Sequence, residues 1–349
     1  MSMAEIYLLD KNLNWASGPL EEFTSLVWSP AWWEVGSFTL SGSPALMDYI
    51  REGAAYIWMQ GRGELGIIDD IEYSKSSCVI SGGFAEGMLG WRCLLEERTF
   101  SGAAESAVLA AVSDNLRNLP LVSVGQAKGY PEEVNSVLER GMPLDEAART
   151  ILRPLGMTFA LRYTGGEGLE LEIIRGKDRS QGQTENSWAI FSESFENITQ
   201  CVYTRRRGSA KNAAIVYGDY GGKMIYETVD RAGEDIRREI SSVADVEAEG
   251  MSEAEYRAVL RSRGEELLAE YQQEEAISGE AEETNLIPGE DYDVGDIVEV
   301  AMEDIGLAQA ERITGMDIVL ENGGVRYIPK FGAEQMGIRS LIRREMKRK

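Results

Sequence analysis

Over the first hundred residues, apolar and polar positions alternate in short runs broken by glycine-rich turns, the pattern of antiparallel strands. Glu5 to Leu9 is a short, mostly apolar run, Phe23 to Trp33 is rich in β-formers, and Ser37 to Leu40 resumes after Gly36. A short helix is expected over Pro44 to Arg51, with Ser43 as N-cap and Gly53 at its end. Strands follow at Ala54–Met59, Gly66–Tyr73 and Cys78–Ser81. This succession predicts a small, twisted antiparallel barrel.

From Ser101 the spacing turns helical. Ala103 to Leu116 carries Ala107, Leu109, Val112 and Leu116 on one face, and a second helix is expected over Pro143 to Leu152. Pro120 to Gly141 reads as a loose connection between them. Met157–Tyr163 and Leu169–Ile174 form a hairpin, and the polar stretch Lys177 to Asn186 reads as a linker. Strands return at Ile198–Thr204, Ala213–Tyr217, Met224–Val229 and Arg238–Ser241. The strongest helix follows, opened by a capping box of Ser252 and Glu255, with Tyr256, Val259, Leu260, Leu267, Leu268 and Tyr271 on one face and Gly279 beyond its end. Ile297–Val300, Ile313–Leu320 and Val325–Pro329 close the pattern.

The expected fold class is therefore α+β and β-rich: two antiparallel β-barrel domains, each with a packed helix, plus a small α+β insert. The boundaries fall at 1–98 for the first barrel, 99–190 for the insert and 191–337 for the second barrel with its long helix 252–278, leaving a basic tail at 338–349. The barrels share an order of events. A helix and Gly53 lead into a strand, a turn, a long bent strand and a closing strand; a helix and Gly295 lead into the same series.

Composition narrows what such a fold can do. The 349 residues carry a net charge of -24, which disfavours both a phosphate-binding groove and adhesion to an anionic membrane. Twenty acids lie between Asp245 and Asp304, whereas Ile338 to Lys349 is basic. Histidine is absent, which excludes a Ser-His-Asp triad, a Cys-His pair and histidine-ligated zinc. Cys78, Cys93 and Cys201 are odd in number and far apart, as expected of small buried hydrophobes rather than a disulfide framework or zinc knuckle. The N-terminal segment lacks a signal-peptide pattern and the apolar runs are strand-length, so a soluble protein folded in a cytoplasm is expected. Neither a cofactor nor a metal is expected.

The candidate sites read structurally. Gly61, Gly63 and Gly66 match G-x-G-x-x-G, but a strand pattern follows where a dinucleotide fingerprint needs a helix. Trp28, Trp32 and Trp33 are expected to be partly buried, in a barrel or at a subunit contact. Arg205, Arg206 and Arg207 read as a solvated or subunit-bridging loop. Adjacent Asp69 and Asp70 point to opposite faces of a strand and cannot be the paired carboxylates of a glycosidase.

The segments LVWSPAWWEVGSFTL, EGAAYIWM, LGIIDDIEY, LGWRCLLEER, FENITQCVYTRRRGSAKNAAIVYG, IRREISSV and DYDVGDIVEVAMEDIGLAQAERITGMDIVLENGGVRYIPKFG, in this order, resemble the tail hub family of siphoviruses. That family is related in architecture to the hubs of contractile phage baseplates and injection systems. The matching positions are structural: Gly36 and Phe38, Gly66, Asn212, and Gly295 with Asp296. The resemblance implies tube-like barrels and a homotrimer of pseudo-six-fold symmetry at the tail tip. Its partners would be the tail tube or a distal adaptor, the tape-measure protein, and a spike or fibre, with no specific nucleic-acid binding and no membrane insertion. Such a protein is assembled in the host cytoplasm and resides in the virion. The short stretch beyond the closing barrel is expected of a hub alone, without a lytic or receptor-binding extension. The alternative of another class is a tail-associated, histidine-free glycan hydrolase with paired carboxylates.

Overall fold

In the computed structural model, which describes residues 5–332 except 21–22, 120, 164, 166–167, 245, 247, 249, 283–284 and 322–323, the chain is β-rich with four α-helices among the described residues. The basic tail expected at 338–349 lies outside the described residues. The first half supplies β1 (Ile6–Asp10), β2 (Phe23–Ser29), β3 (Ser37–Gly42), α1 (Leu46–Arg51), β4 (Ala54–Met59), β5 (Leu65–Ile67), β6 (Asp70–Tyr73) and β7 (Cys78–Gly83). β2 is shorter than the expected Phe23–Trp33 because Pro30 lacks an N–H and ends the ladder. The expected strand Gly66–Tyr73 is two strands: the chain bends at Ile68–Asp69, so β5 pairs with β4 while β6 pairs with β7. Ser43 is not the N-cap of α1; Ala45 is, and the Ser43 hydroxyl accepts the Ala45 N–H.

The insert follows as β8 (Arg98–Ala103), α2 (Ala104–Asn115), β9 (Val122–Val124), β10 (Glu133–Leu138), α3 (Leu144–Leu152), β11 (Met157–Tyr163) and β12 (Leu169–Arg175). The stretch Pro120 to Gly141, expected to be loose, contains β9 and β10. The buried Glu105 carboxylate holds its middle by accepting the N–H groups of Lys128, Gly129 and Tyr130 at 2.7, 2.8 and 3.2 Å. Sequence pattern misses this because the partner is 23 to 25 residues away. α2, α3, β11 and β12 share one apolar core with Leu9, Tyr56 and Leu65 of the first half.

The second half begins with β13 (Ile190–Ser192) and β14 (Ile198–Arg206). Next come β15 (Ala213–Tyr220), β16 (Lys223–Asp230), β17 (Glu239–Val243) and α4 (Glu253–Glu270), before β18 (Glu274–Ala281), β19 (Ile297–Met302), β20 (Leu307–Glu321) and β21 (Gly324–Gly332). The long helix is thus shorter than 252–278. Its capping box is present, but past Tyr271 the chain becomes β18, where alternation buries Ile277 and packs Gly279 against Ile198.

The chain divides into two compact units. One comprises the described residues up to Cys201 together with Ser278–Gly332; the other is Val202–Ile277. In the smaller unit, β16-β15-β17 carry α4 on one face, through Tyr256, Leu260 and Leu268 against Val216, Ala214, Ile225 and Val229. The main sheet has the path β14-β18-β21-β20-β2-β3-β7-β6, and β19 joins β20 and β13 off that path. Its apolar face buries Leu26, Trp28, Phe38, Leu40, Ile80, Ile318 and Leu320. No closed barrel is found among the described residues. Of the cysteines, Cys78 is buried, but Cys93 and Cys201 are only partly so.

Gly218 lets α4 approach β15: a side chain there would meet the Tyr256 hydroxyl and Leu260. Gly218→Val is expected to destabilise the smaller unit by about 2 kcal/mol or more. Hydrogen exchange should then speed up over 213–230 and stay unchanged over 37–42.

Candidate functional site

The two halves meet where β2 pairs antiparallel with β20, Leu26 opposite Leu320 and Trp28 opposite Ile318. Because side chains alternate, these four apolar residues share the buried face, while Ser25, Val27, Val319 and Glu321 share the other. The loop after β2 extends the junction. Ala31 bridges Gly315, the Trp32 N–H donates to the Thr314 carbonyl at 2.9 Å, and the Met316 N–H donates to the Pro30 carbonyl at 3.1 Å. Trp32 is 3% exposed and lies over Gly295, where φ is +99° and a Cβ would sit 2.1 Å from the ring. The Arg312 guanidinium lies 5.6 Å from the Trp32 ring and 5.8 Å from that of Trp33, whose ring also takes Arg153 of the insert at 5.2 Å. First half, insert and second half converge on these two tryptophans.

Beside the junction is a cavity of about 60 Å³, lined by Trp32, Arg62, Glu64, Glu86, Arg162 and Asp293 among others. It has room for a few waters. Burial pushes the Glu64 carboxyl up, but Arg62 at 3.0 Å and Arg162 at 3.5 Å outweigh it and hold it below the usual range. Burial pushes Glu86 up to about 7, although its carboxylate accepts the Gly36 N–H at 3.1 Å. Asp296 anchors the stretch expected to be a linker: it accepts the Lys177 N–H at 2.8 Å and pairs with the buried Arg179 at 2.8 Å. Lys177 to Asn186 is thus tied down in its first residues.

The six family-like positions fall into three places. Gly36, Phe38 and Gly66 surround Phe84: a Cβ at Gly36 would meet the Phe84 ring at 2.4 Å, Gly66 bridges Phe84, and Phe38 packs on Gly66 and Trp28. Gly295 and Asp296 lie at the junction. Asn212 is elsewhere, in the smaller unit, where its side chain accepts the Arg238 N–H at 2.7 Å and donates to the Ile236 carbonyl at 3.1 Å. Each position acts in packing or backbone support. Sequence reasoning missed the buried network of Arg62, Glu64, Glu86 and Arg162, and its signal was weak, since scattered acids in a chain with 59 of them single out none. Among the described residues no cluster of three acids or cysteines is placed to hold a metal, and no helix is long and apolar enough to cross a membrane.

Glu86 gives a pH signature. Its folded pKa near 7 lies above the ordinary 4.5, so the folded state prefers the protonated acid. That preference is fully present below about pH 4.5 and is lost as pH rises through 7, a change of about 3 kcal/mol at most. Denaturant titrations at pH 5 and pH 8 should show this loss in the natural protein, and Glu86→Gln should remove most of it.

Over residues 5–333 the sequence matches the family described as Siphovirus ReqiPepy6 Gp37-like protein. The fold is similar to that of a tail protein from Neisseria meningitidis MC58, with a TM-score of 0.60 at 13% identity, covering 95% of this chain and 96% of that one. It is also similar to the 43 kDa tail protein of prophage MuSo2 from Shewanella oneidensis, at 0.56 and 15%, covering 94% and 98%. The prophage tail protein gp18 from Listeria monocytogenes EGD-e gives 0.51 at 14% identity, with 98% of each chain covered. No curated protein sequence matches significantly. With nearly its whole described length matched, the chain belongs to the siphovirus ReqiPepy6 Gp37-like family.

Proposed function

We propose that this protein is the hub of a siphovirus tail tip: a homotrimeric ring around the DNA path that joins the tail tube, or a distal adaptor, to the spike, fibre or other tip proteins. The observation that carries this reading is a repeated strand order. The first half runs β6-β7-β3-β2 across the sheet and the second runs β20-β21-β18-β14, joined side by side through β2 and β20. The repeat extends outward, since β4 pairs with β5 as β19 pairs with the first part of β20. Each half is one tube-like element whose barrel is completed by its neighbours in the ring. Three chains then present six such elements, which lets a trimer stack against a six-fold tube. The tape-measure protein and the spike or fibre meet this ring from its two ends, in a particle assembled in the host cytoplasm and carried in the virion.

The sheet's open face fits the wall of a DNA channel. It bears hydroxyls such as Ser37, Thr39 and Ser41 and acids such as Asp317 and Glu321. Its cations are engaged: Lys330 pairs with Asp317 at 2.7 Å, and Arg326 with Glu321 at 3.4 Å and Glu280 at 3.7 Å. A hydroxylated, acidic wall keeps a passing polyanion from sticking.

Electron microscopy of the tail tip tests the reading. Three copies around a central opening are expected, and a hub position filled by one copy, or by an even number, would overturn it. Asp317→Lys with Glu321→Lys should slow genome ejection; unchanged ejection would sink the channel assignment.

A further inference from the structure

β13 pairs with β19 in parallel, Ser192 opposite Ala301, so both strands leave the sheet at the same end. Each is followed by one tight turn, Glu193–Phe195 after β13 and Glu303–Ile305 after β19. The Glu303 carboxylate ties the turns together, accepting the Ser192 hydroxyl at 3.0 Å and the Ser194 hydroxyl as well. Burial, together with Glu193 from one turn and Asp304 from the other, pushes the Cys201 thiol up to about 11, so an acid of each turn lies near the same sulfur.

The surface that results is apolar at its centre and anionic around it. Phe195 is 52% exposed and Ile305 53%, and Glu193, Glu303 and Asp304 beside them are exposed too. Neither contributing stretch brings a cation, since Lys and Arg are absent from 180 to 204 and from 264 to 311. Exposed apolar side chains bordered by acids fit a partner that is itself apolar and cationic.

One segment of this chain has that chemistry. Residues 338–349, IRSLIRREMKRK, carry six cations against Glu345 alone. Their apolar residues Ile338, Leu341, Ile342 and Met346 recur at the spacing of one helical face. The path of the chain leads toward the patch. β21 runs antiparallel to β20 with Phe331 opposite Ile313, so at Gly332 the chain is directed along the start of β20, whose first residue is two beyond Ile305. The Phe331 ring also lies 5.0 Å from that of Phe191, four residues before Phe195. Four residues of strand measure about 13 Å. The five residues 333–337 can span about 17 Å when extended, which is enough to bring Ile338 to the two turns.

We propose that residues 338–349 dock on the Phe195–Ile305 patch of their own chain. Ile338, Leu341 and Ile342 cover the two apolar side chains, and the arginines face Glu193, Glu303 and Asp304. Held there, a strongly basic segment is neutralised by the protein's own acids and is kept from binding nucleic acid. The docking does not depend on the ring reading above.

The test places the photo-crosslinker p-benzoylphenylalanine at Phe195 of the full chain and reads product mass on denaturing gels together with the cross-linked peptides. A product of single-chain mass, joined from 195 to a peptide within 338–349, is expected. A product of two chains joined to 338–349 would assign the segment to a neighbouring copy and overturn the proposal, as would cross-links to other sites alone. In a second arm, Arg343→Glu with Arg344→Glu should lower the yield about tenfold, and adding Glu193→Arg with Asp304→Arg should restore most of it. A yield unchanged by the first pair would overturn the charge pairing on which the docking rests. Phe195, Glu193 and Asp304 are all exposed, and unchanged hydrogen exchange over 37–42 checks that each variant keeps its fold.

Discussion

The architecture depends on one strand pairing, β2 with β20. It converts two similar four-stranded arrays into a single sheet, and it aligns Leu26 with Leu320 and Trp28 with Ile318 on the same buried face. A shift of one residue would turn these side chains to the open face and bring Ser25 and Glu321 inward, so burial fixes the register. The loop after β2 then locks the pairing, because Trp32 fits only over a residue without a side chain, and Gly295 is that residue. Arg153 and Arg312, lying over the rings of Trp33 and Trp32, tie the insert and the second half to the same point.

Polar chemistry around this junction serves position rather than reaction. Glu64, Arg62 and Arg162 neutralise one another in a small cavity, and Asp296 holds Arg179 with both side chains largely buried. Buried pairs of this kind add little net stability compared with apolar packing, but breaking one partner is costly. They therefore specify a single arrangement of segments far apart in sequence, such as Lys177 and Asp296.

Much was legible from local pattern. The strand Ala54–Met59 emerged with its expected bounds, α2 and α3 lie where the apolar spacing put them, and the Ser252–Glu255 capping box formed. These succeed because alternation, helical spacing and caps act over a few residues. The failures share the opposite cause. β9 and β10 carry no local signal because Glu105 orders the segment between them from a distance, and 274–278 is strand where Gly279 has the look of a helix stop. Its small size instead accommodates Ile198 across the sheet.

The sequence by itself determined a β-rich chain without histidine chemistry, two similar successions of strands, and the helices of the insert, because each follows from composition or from short-range periodicity. Only the tertiary structure decided how the two successions join. Strand order across a sheet is a property of distant segments, and nothing local marks β2 and β20 as neighbours. The same reason kept Glu64 and Glu86 hidden among 59 acids until folding buried them, and kept the open face unassigned until its registers were known.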